Sequence, residues 1–148
     1  MAMLHYTESG QGEPLILLHS GGMTSAEWAP HVPLFVRNFR VIAPDHLGHG
    51  RSPMIAERLT VADMGRAVLD MMDELALPAA NLVGSSMGGA VALWLTVHHP
   101  ARVNRLASAL RAAGIEAGDR VAVLCPNTPP LLEAHFGVPL AGGVLVAI

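Results

Sequence analysis

The sequence predicts an α/β fold, a three-layer sandwich built on a mostly parallel sheet. Short unbroken apolar runs alternate with stretches of helical periodicity, and each of the first runs leads into a glycine-rich turn. A strand buried on both faces reads as a continuous apolar run, and a helix between two such strands is the usual right-handed crossover. In sheets of this kind ligands gather at the carboxyl ends of the strands, which is where the glycine turns fall.

The first strand is expected at Leu15-Ile16-Leu17-Leu18, leading into His19-Ser20-Gly21-Gly22. From Ser25 to Arg37, Trp28, Val32, Leu34, Phe35 and Val36 favour a helix that Pro30 and Pro33 shorten or bend. Val41-Ile42-Ala43 is a second strand, feeding the loop Pro44 to Pro53. Thr60 and Asp63 form a capping-box pattern before a helix whose apolar positions are Val61, Met64, Val68, Met71, Met72 and Leu75. Methionines at that spacing are a packed core face, not a metal-binding stripe. Leu82-Val83 is a third strand, followed by Gly84-Ser85-Ser86-Met87-Gly88-Gly89 and a helix from Ala90 to Val97 that ends near Pro100.

The chemistry concentrates in the last of these turns. Gly84-x-Ser86-x-Gly88 matches the G-x-S-x-G elbow, in which small neighbours allow a tight strand-to-helix turn that presents a serine hydroxyl. A phosphate loop is disfavoured, because no G-K-[ST] follows. An acyl-transfer serine needs N–H donors for the oxyanion of its tetrahedral intermediate. Met87, just after the nucleophile, and Gly21, whose missing side chain admits the reacting carbonyl, are the candidates. His19, on the same loop as Gly21, is expected to order that loop and not to act as base. Asp45, His46 and His49 carry metal-ligand chemistry, but the glycine loop accounts for their spacing without a metal.

These motifs, taken in order, resemble the α/β-hydrolase family from about residue 4 to residue 106. His19-Ser20-Gly21-Gly22 is similar to the family's oxyanion H-G motif, with serine where glycine is usual, and Asp45 to Ser52 looks like its D-x-x-G-x-G-x-S loop. Ser86 stands where the family has its nucleophile. The resemblance implies a truncated α/β-hydrolase fold that acts on esters, lactones or related acyl compounds without a cofactor.

Beyond Pro100 the pattern changes. Val103, Leu106, Ala107, Leu110 and Ala113 recur at helical spacing and Gly114 is a suitable stop, where the hydrolase pattern wants a strand. From about residue 102 to 148 the chain resembles the N-terminal region of adenylate-forming acyl-CoA synthetases. The matching residues include Asn104 to Ala107, Gly118 to Leu124, Pro126-Asn127-Thr128 and Glu133 to Gly137. The chain is therefore expected to divide at residues 1–105 and 106–148, the second part packing on the same sheet, as in a chimera of two coding sequences. The synthetases' phosphate loop and catalytic lysine are not in this stretch, so a synthetase remnant is the weaker alternative.

In hydrolase order an acid and a histidine follow the serine. Asp119 would lie at the amino end of the strand expected at Val121 to Leu124, away from Ser86. Glu133 and His135 lie on the better side, but two residues apart on one helix they face different directions. His135 is the candidate base in an otherwise incomplete triad. His98-His99 reads as a helix terminus.

Composition narrows the partners. Apolar residues make up 51% of the 148 and charged residues only 14%, against about a quarter in ordinary globular domains. The net charge of -3 includes no basic stripe, which disfavours nucleic acid. No apolar stretch reaches the roughly 20 residues of a membrane span. A single cysteine, Cys125, and a start unlike a secretory signal suit a reducing cytoplasm. The apolar run Val144 to Ile148, read as an unpaired strand, predicts a homo-oligomer or a poorly soluble protein. A non-catalytic fragment that self-associates is thus the alternative to a hydrolase acting on a small acyl substrate.

Overall fold

The computed structural model describes residues 3–105, 120–123 and 144–147. Five strands form one sheet in the order β1-β3-β2-β4-β5. They are β1 (Tyr6–Ser9), β2 (Glu13–Leu18), β3 (Phe39–Pro44), β4 (Ala80–Gly84) and β5 (Val103–Arg105). β2, β3, β4 and β5 run parallel, while β1 pairs antiparallel with β3 at the edge. The predicted mostly parallel α/β sheet is therefore present, with an antiparallel edge strand that apolar runs alone do not reveal. Tyr6–Ser9 is a polar strand with three exposed residues, so it carries no core signal.

The two faces of β2 explain its unbroken apolar run. Ile16 and Leu18 pack on one side with Ile42, Leu82 and the helices α2 (Val61–Glu74) and α3 (Met87–His98). Leu15 and Leu17 pack on the other with Val41, Ala43, Trp28 and the short helix α1 (Val32–Phe35). Helix, sheet and helix make the three layers. α2 begins with the predicted capping box: Thr60 accepts from the Asp63 N–H and Asp63 accepts from the Thr60 N–H. It lies close on α3 because Gly65 leaves room for the Trp94 ring, and a Cβ there would overlap that ring.

Three expectations need correction. The helix expected over 25–37 is instead a 3₁₀ turn at Ser25–Trp28 and the one-turn α1, separated at Ala29-Pro30-His31. A proline inside a helix removes a backbone donor and clashes with the preceding turn. Val103 does not begin a helix: it starts β5, opposite Ala80 of β4, as the hydrolase pattern wanted. The helical spacing is overridden at Val103, where pairing to the open sheet edge of β4 wins. Finally, the terminal apolar run is not an unpaired strand. β7 (Val144–Ala147) pairs in parallel with β6 (Arg120–Val123) in a separate two-stranded sheet. The rest of the expected 106–113 helix, Asp119, Cys125, Glu133 and His135 lie outside the described residues.

The chain leaves β2 toward β3 on one side, then crosses back over β2 to β4 and on to β5. The direction of winding reverses between β2 and β4, and their carboxyl ends, in register at Leu18 and Gly84, frame a crevice.

Candidate active site

Ser86 sits at the tip of the turn from β4 into α3, with φ 50° and ψ −112°. A non-glycine residue held at positive φ costs on the order of 1–3 kcal/mol, and such strain persists where surrounding structure over-determines it. Two glycines do so here. A Cβ on Gly84 would overlap the backbone of Gly88 and Gly89, and one on Gly88 would overlap the carbonyls of Leu18 and His19. The helix can therefore start directly against the end of β2 only if both positions lack side chains. Ser85 N–H donates to Leu18 O at 3.0 Å and Gly88 N–H to Ser85 O at 2.9 Å, which fixes the turn on both sides of Ser86.

The loop after β2 brings Gly21 against Met87, whose Cβ and Sδ would lie 3.8 and 3.7 Å from a Cβ at position 21. The Gly21 and Met87 N–H groups have no acceptor among the described residues. Ser20 N–H, by contrast, is taken by Glu27 Oε2 at 2.6 Å. Of the neighbouring amides on this loop, Gly21 is the one left open for a ligand.

His19 is fully buried and both its ring nitrogens are engaged: Nδ1–H donates to Ser20 O at 2.7 Å and Nε2 accepts from His46 N–H at 2.9 Å. Burial lowers its pKa, against the opposing pull of the Ser20 carbonyl. It is a neutral strut between the loops after β2 and β3, with no nitrogen left to accept a proton from Ser86. His46 packs against it with ring centroids 4.5 Å apart. Burial, then the neighbouring His19 and His49, push the His46 pKa down to about 3, and neither ring nitrogen has a partner among the described residues.

Asp45 organises the loop after β3. Its carboxylate accepts from Ser25 N–H at 2.7 Å and Arg51 N–H at 3.0 Å, with His5 Nδ1 at 3.1 Å. Burial works to raise its pKa, but the Arg51 and Ser25 donors prevail and hold it at about 2. Gly50, at φ 52°, leaves the space this carboxylate occupies. Ser52 Oγ closes the loop by donating to Asp45 O at 2.6 Å. His49 Nε2 accepts from Gly22 N–H at 3.3 Å, so the loop also supports the Gly21 turn. Of the three residues considered as metal ligands, Asp45 and His49 thus hold the loop through hydrogen bonds, and His46 packs its ring on His19.

Sequence reasoning missed Glu27 and Ser85. Glu27 Oε1 accepts from Ser20 Oγ at 2.7 Å, and Ser20 Oγ is 2.8 Å from Ser85 Oγ. The signal was faint: a serine where the H-G motif has glycine leaves a hydroxyl in need of a partner.

A doubly wound, mostly parallel sheet with a strained strand-to-helix serine turn at its switch point defines an α/β protein of the hydrolase type. The family model for the alpha/beta hydrolase fold matches residues 13–117, and the chain belongs to that family. A second model, for AMP-binding enzymes, matches residues 99–148, overlapping the first. The chain is 36% identical over 103 residues to an (E)-2-((N-methylformamido)methylene)succinate hydrolase of Acinetobacter baylyi, covering 70% of this chain and 39% of that one. It is likewise 36% identical over 110 residues to a 2-hydroxy-6-oxo-6-phenylhexa-2,4-dienoate hydrolase of Comamonas testosteroni, covering 70% and 38%. Among solved structures it is similar to the enol-lactonase from Burkholderia xenovorans, at a TM-score of 0.66 and 31% identity over 80% of this chain and 42% of that one. The chain spans about two fifths of the length of these relatives.

Proposed function

We propose that this chain is the nucleophile-bearing part of a serine-type hydrolase for esters, lactones or related small acyl compounds. The carrying observation is Ser86 at positive φ between β4 and α3, with Gly21 packed against the side chain of the next residue, Met87. The names of its relatives, hydrolases and an enol-lactonase, support the substrate class. Ser86 Oγ attacks the carbonyl carbon, and the carbonyl oxygen becomes an oxyanion that accepts from Gly21 and Met87 N–H. Collapse expels the alcohol and leaves an acyl-serine, which water hydrolyses. His135, which follows Ser86 in the order serine then histidine, is the proposed base: it takes the Ser86 proton as Oγ attacks and gives it to the leaving alcohol. No cofactor is required, and a cytoplasmic setting fits the single cysteine.

A fluorophosphonate probe, which forms a bond to an activated serine, tests the assignment. Mass analysis should find the adduct on Ser86 and none in Ser86→Ala; label elsewhere, or equal aryl-ester hydrolysis by both proteins, would remove Ser86 from the chemistry. If no base is supplied, oxyanion donors and binding alone should leave about 10³-fold rate over water.

The overlapping family matches favour a second reading in which the chain joins a hydrolase part to an AMP-binding-like segment. β5 belongs to the hydrolase sheet, whereas β6 and β7 pair with each other. Limited proteolysis should then cut first within 99–117 and release two fragments. A first cut inside residues 13–98 would count against a junction there. Light scattering on the intact chain tests the self-associating alternative, which a soluble monomer at high concentration would exclude.

A further inference from the structure

Ser20 is held through its N–H, its hydroxyl and its carbonyl. The N–H donates to Glu27 Oε2 at 2.6 Å and the hydroxyl to Glu27 Oε1 at 2.7 Å. The carbonyl accepts from His19 Nδ1–H at 2.7 Å and from Met23 N–H at 3.2 Å. Because the one hydroxyl proton goes to Glu27, Ser20 Oγ accepts from the Ser85 hydroxyl at 2.8 Å, a bond between the loop after β2 and the turn after β4. The Ser20 carbonyl and the Gly21 N–H belong to one trans peptide, in which they point in opposite directions. Fixing Ser20 therefore aims the Gly21 N–H, which has no acceptor of its own among the described residues. Glu27 is itself anchored. It lies in the 3₁₀ turn Ser25–Trp28, where Ser25 N–H is taken by Asp45 Oδ1 at 2.7 Å and Trp28 is buried in the cluster with Leu15 and Leu17 of β2. Bonds of 2.6 and 2.7 Å to a carboxylate lie in the short range of charge-assisted hydrogen bonds, which are about twice as strong as neutral ones.

We propose, resting on the serine-hydrolase reading, that Ser20 and Glu27 are positioning residues that hold the Gly21 amide in register with the nucleophile elbow, so that it shares the oxyanion with Met87. Neither residue touches the reacting atoms. The two donors come from different segments: Met87 N–H is carried by the elbow itself, whereas Gly21 N–H stands on a separate loop and reaches the same oxygen only while that loop keeps its place. The hydroxyl bond from Ser85 to Ser20 sets that place directly between residues 65 apart in the sequence. The two bonds to Glu27 stop Ser20 from rotating out of it. Loss of either member should weaken the Gly21 donor and spare Met87.

A fluorophosphonate on the intact chain supplies both a rate and an oxyanion mimic. Ser86 Oγ bonds to phosphorus, fluoride and the hydroxyl proton depart, and the phosphoryl oxygen of the adduct accepts where a substrate oxyanion would. Hydrogen exchange is then read amide by amide by NMR on the completed adduct, to which unfolded chains do not contribute because they do not label. In the unmodified protein, exchange at both Gly21 and Met87 should slow at least about tenfold on labelling. Ser20→Ala and Glu27→Ala should each label about tenfold more slowly, and the double variant within about twofold of either single one, since the pair acts as a unit. In all three adducts Met87 should stay protected while Gly21 does not, and Ser20→Thr, which keeps the hydroxyl, should restore Gly21. Gly21 protection retained in either alanine variant, rate losses that multiply in the double variant, or no adduct in a single variant would overturn the positioning role and leave the hydrolase reading intact. So would protection lost at Gly21, Met87 and Ser85 alike, which would make the pair a support of the sheet. No adduct on Ser86 in the unmodified protein would overturn that reading and this role with it.

Discussion

Gly88 and Gly22 separate two reasons for a glycine. Gly88 touches the backbone at the end of β2, so Gly88→Ala must push the elbow off the sheet, and a loss of about 2–4 kcal/mol is expected in urea unfolding. Gly22 is at φ 76° with open space around it, so Gly22→Ala should cost only about 1 kcal/mol of backbone strain. A reversed order would mean that α3 does not start against Leu18. At this scale the sequence exposes the residues that sit in local motifs, namely Ser86, Met87 and Gly21. It hides the Glu27–Ser20–Ser85 chain, because contacts between residues 20 and 85 exist only after β2 and β4 pair.

Among the elements, the two best-defined starts depend on polar side chains. Thr60→Ala removes an acceptor from the first turn of α2 and should cost about 1 kcal/mol, measured by thermal or urea unfolding. The loop after β3 depends on Asp45, whose pKa is held at about 2 against an ordinary 3.8. A depressed carboxyl pKa adds stability above the unfolded-state value and loses it as pH falls through the folded one. Asp45 should therefore contribute about 2 kcal/mol at pH 7, waning from about pH 4 to pH 2. Asp45→Asn should be less stable at pH 7 and have a flatter acid limb; equal slopes would place the acid sensitivity elsewhere. The capping box was legible because it is local, spanning Thr60 to Asp63. β5 was misread because its state is decided by the edge of β4, more than twenty residues earlier, and not by its own periodicity.

For the whole molecule, alternating strand and helix signals revealed the parallel sheet, while the strand order did not follow from the sequence, since either neighbour of β2 could have been filled first. That order places the loops after β2 and β4 side by side. The seam between them can be followed one amide at a time. Ser85 N–H is locked to Leu18 O inside the sheet, whereas the amides of Gly21 and Met87 have no acceptor among the described residues. Under hydrogen–deuterium exchange Ser85 should open only with the sheet, while Gly21 and Met87 should exchange at nearly the rate of an unfolded chain. Two neighbouring amides, one on each side of the seam, would then trade their hydrogens with solvent while the bond between them stays shut, a contrast set wholly by which strand ends lie side by side.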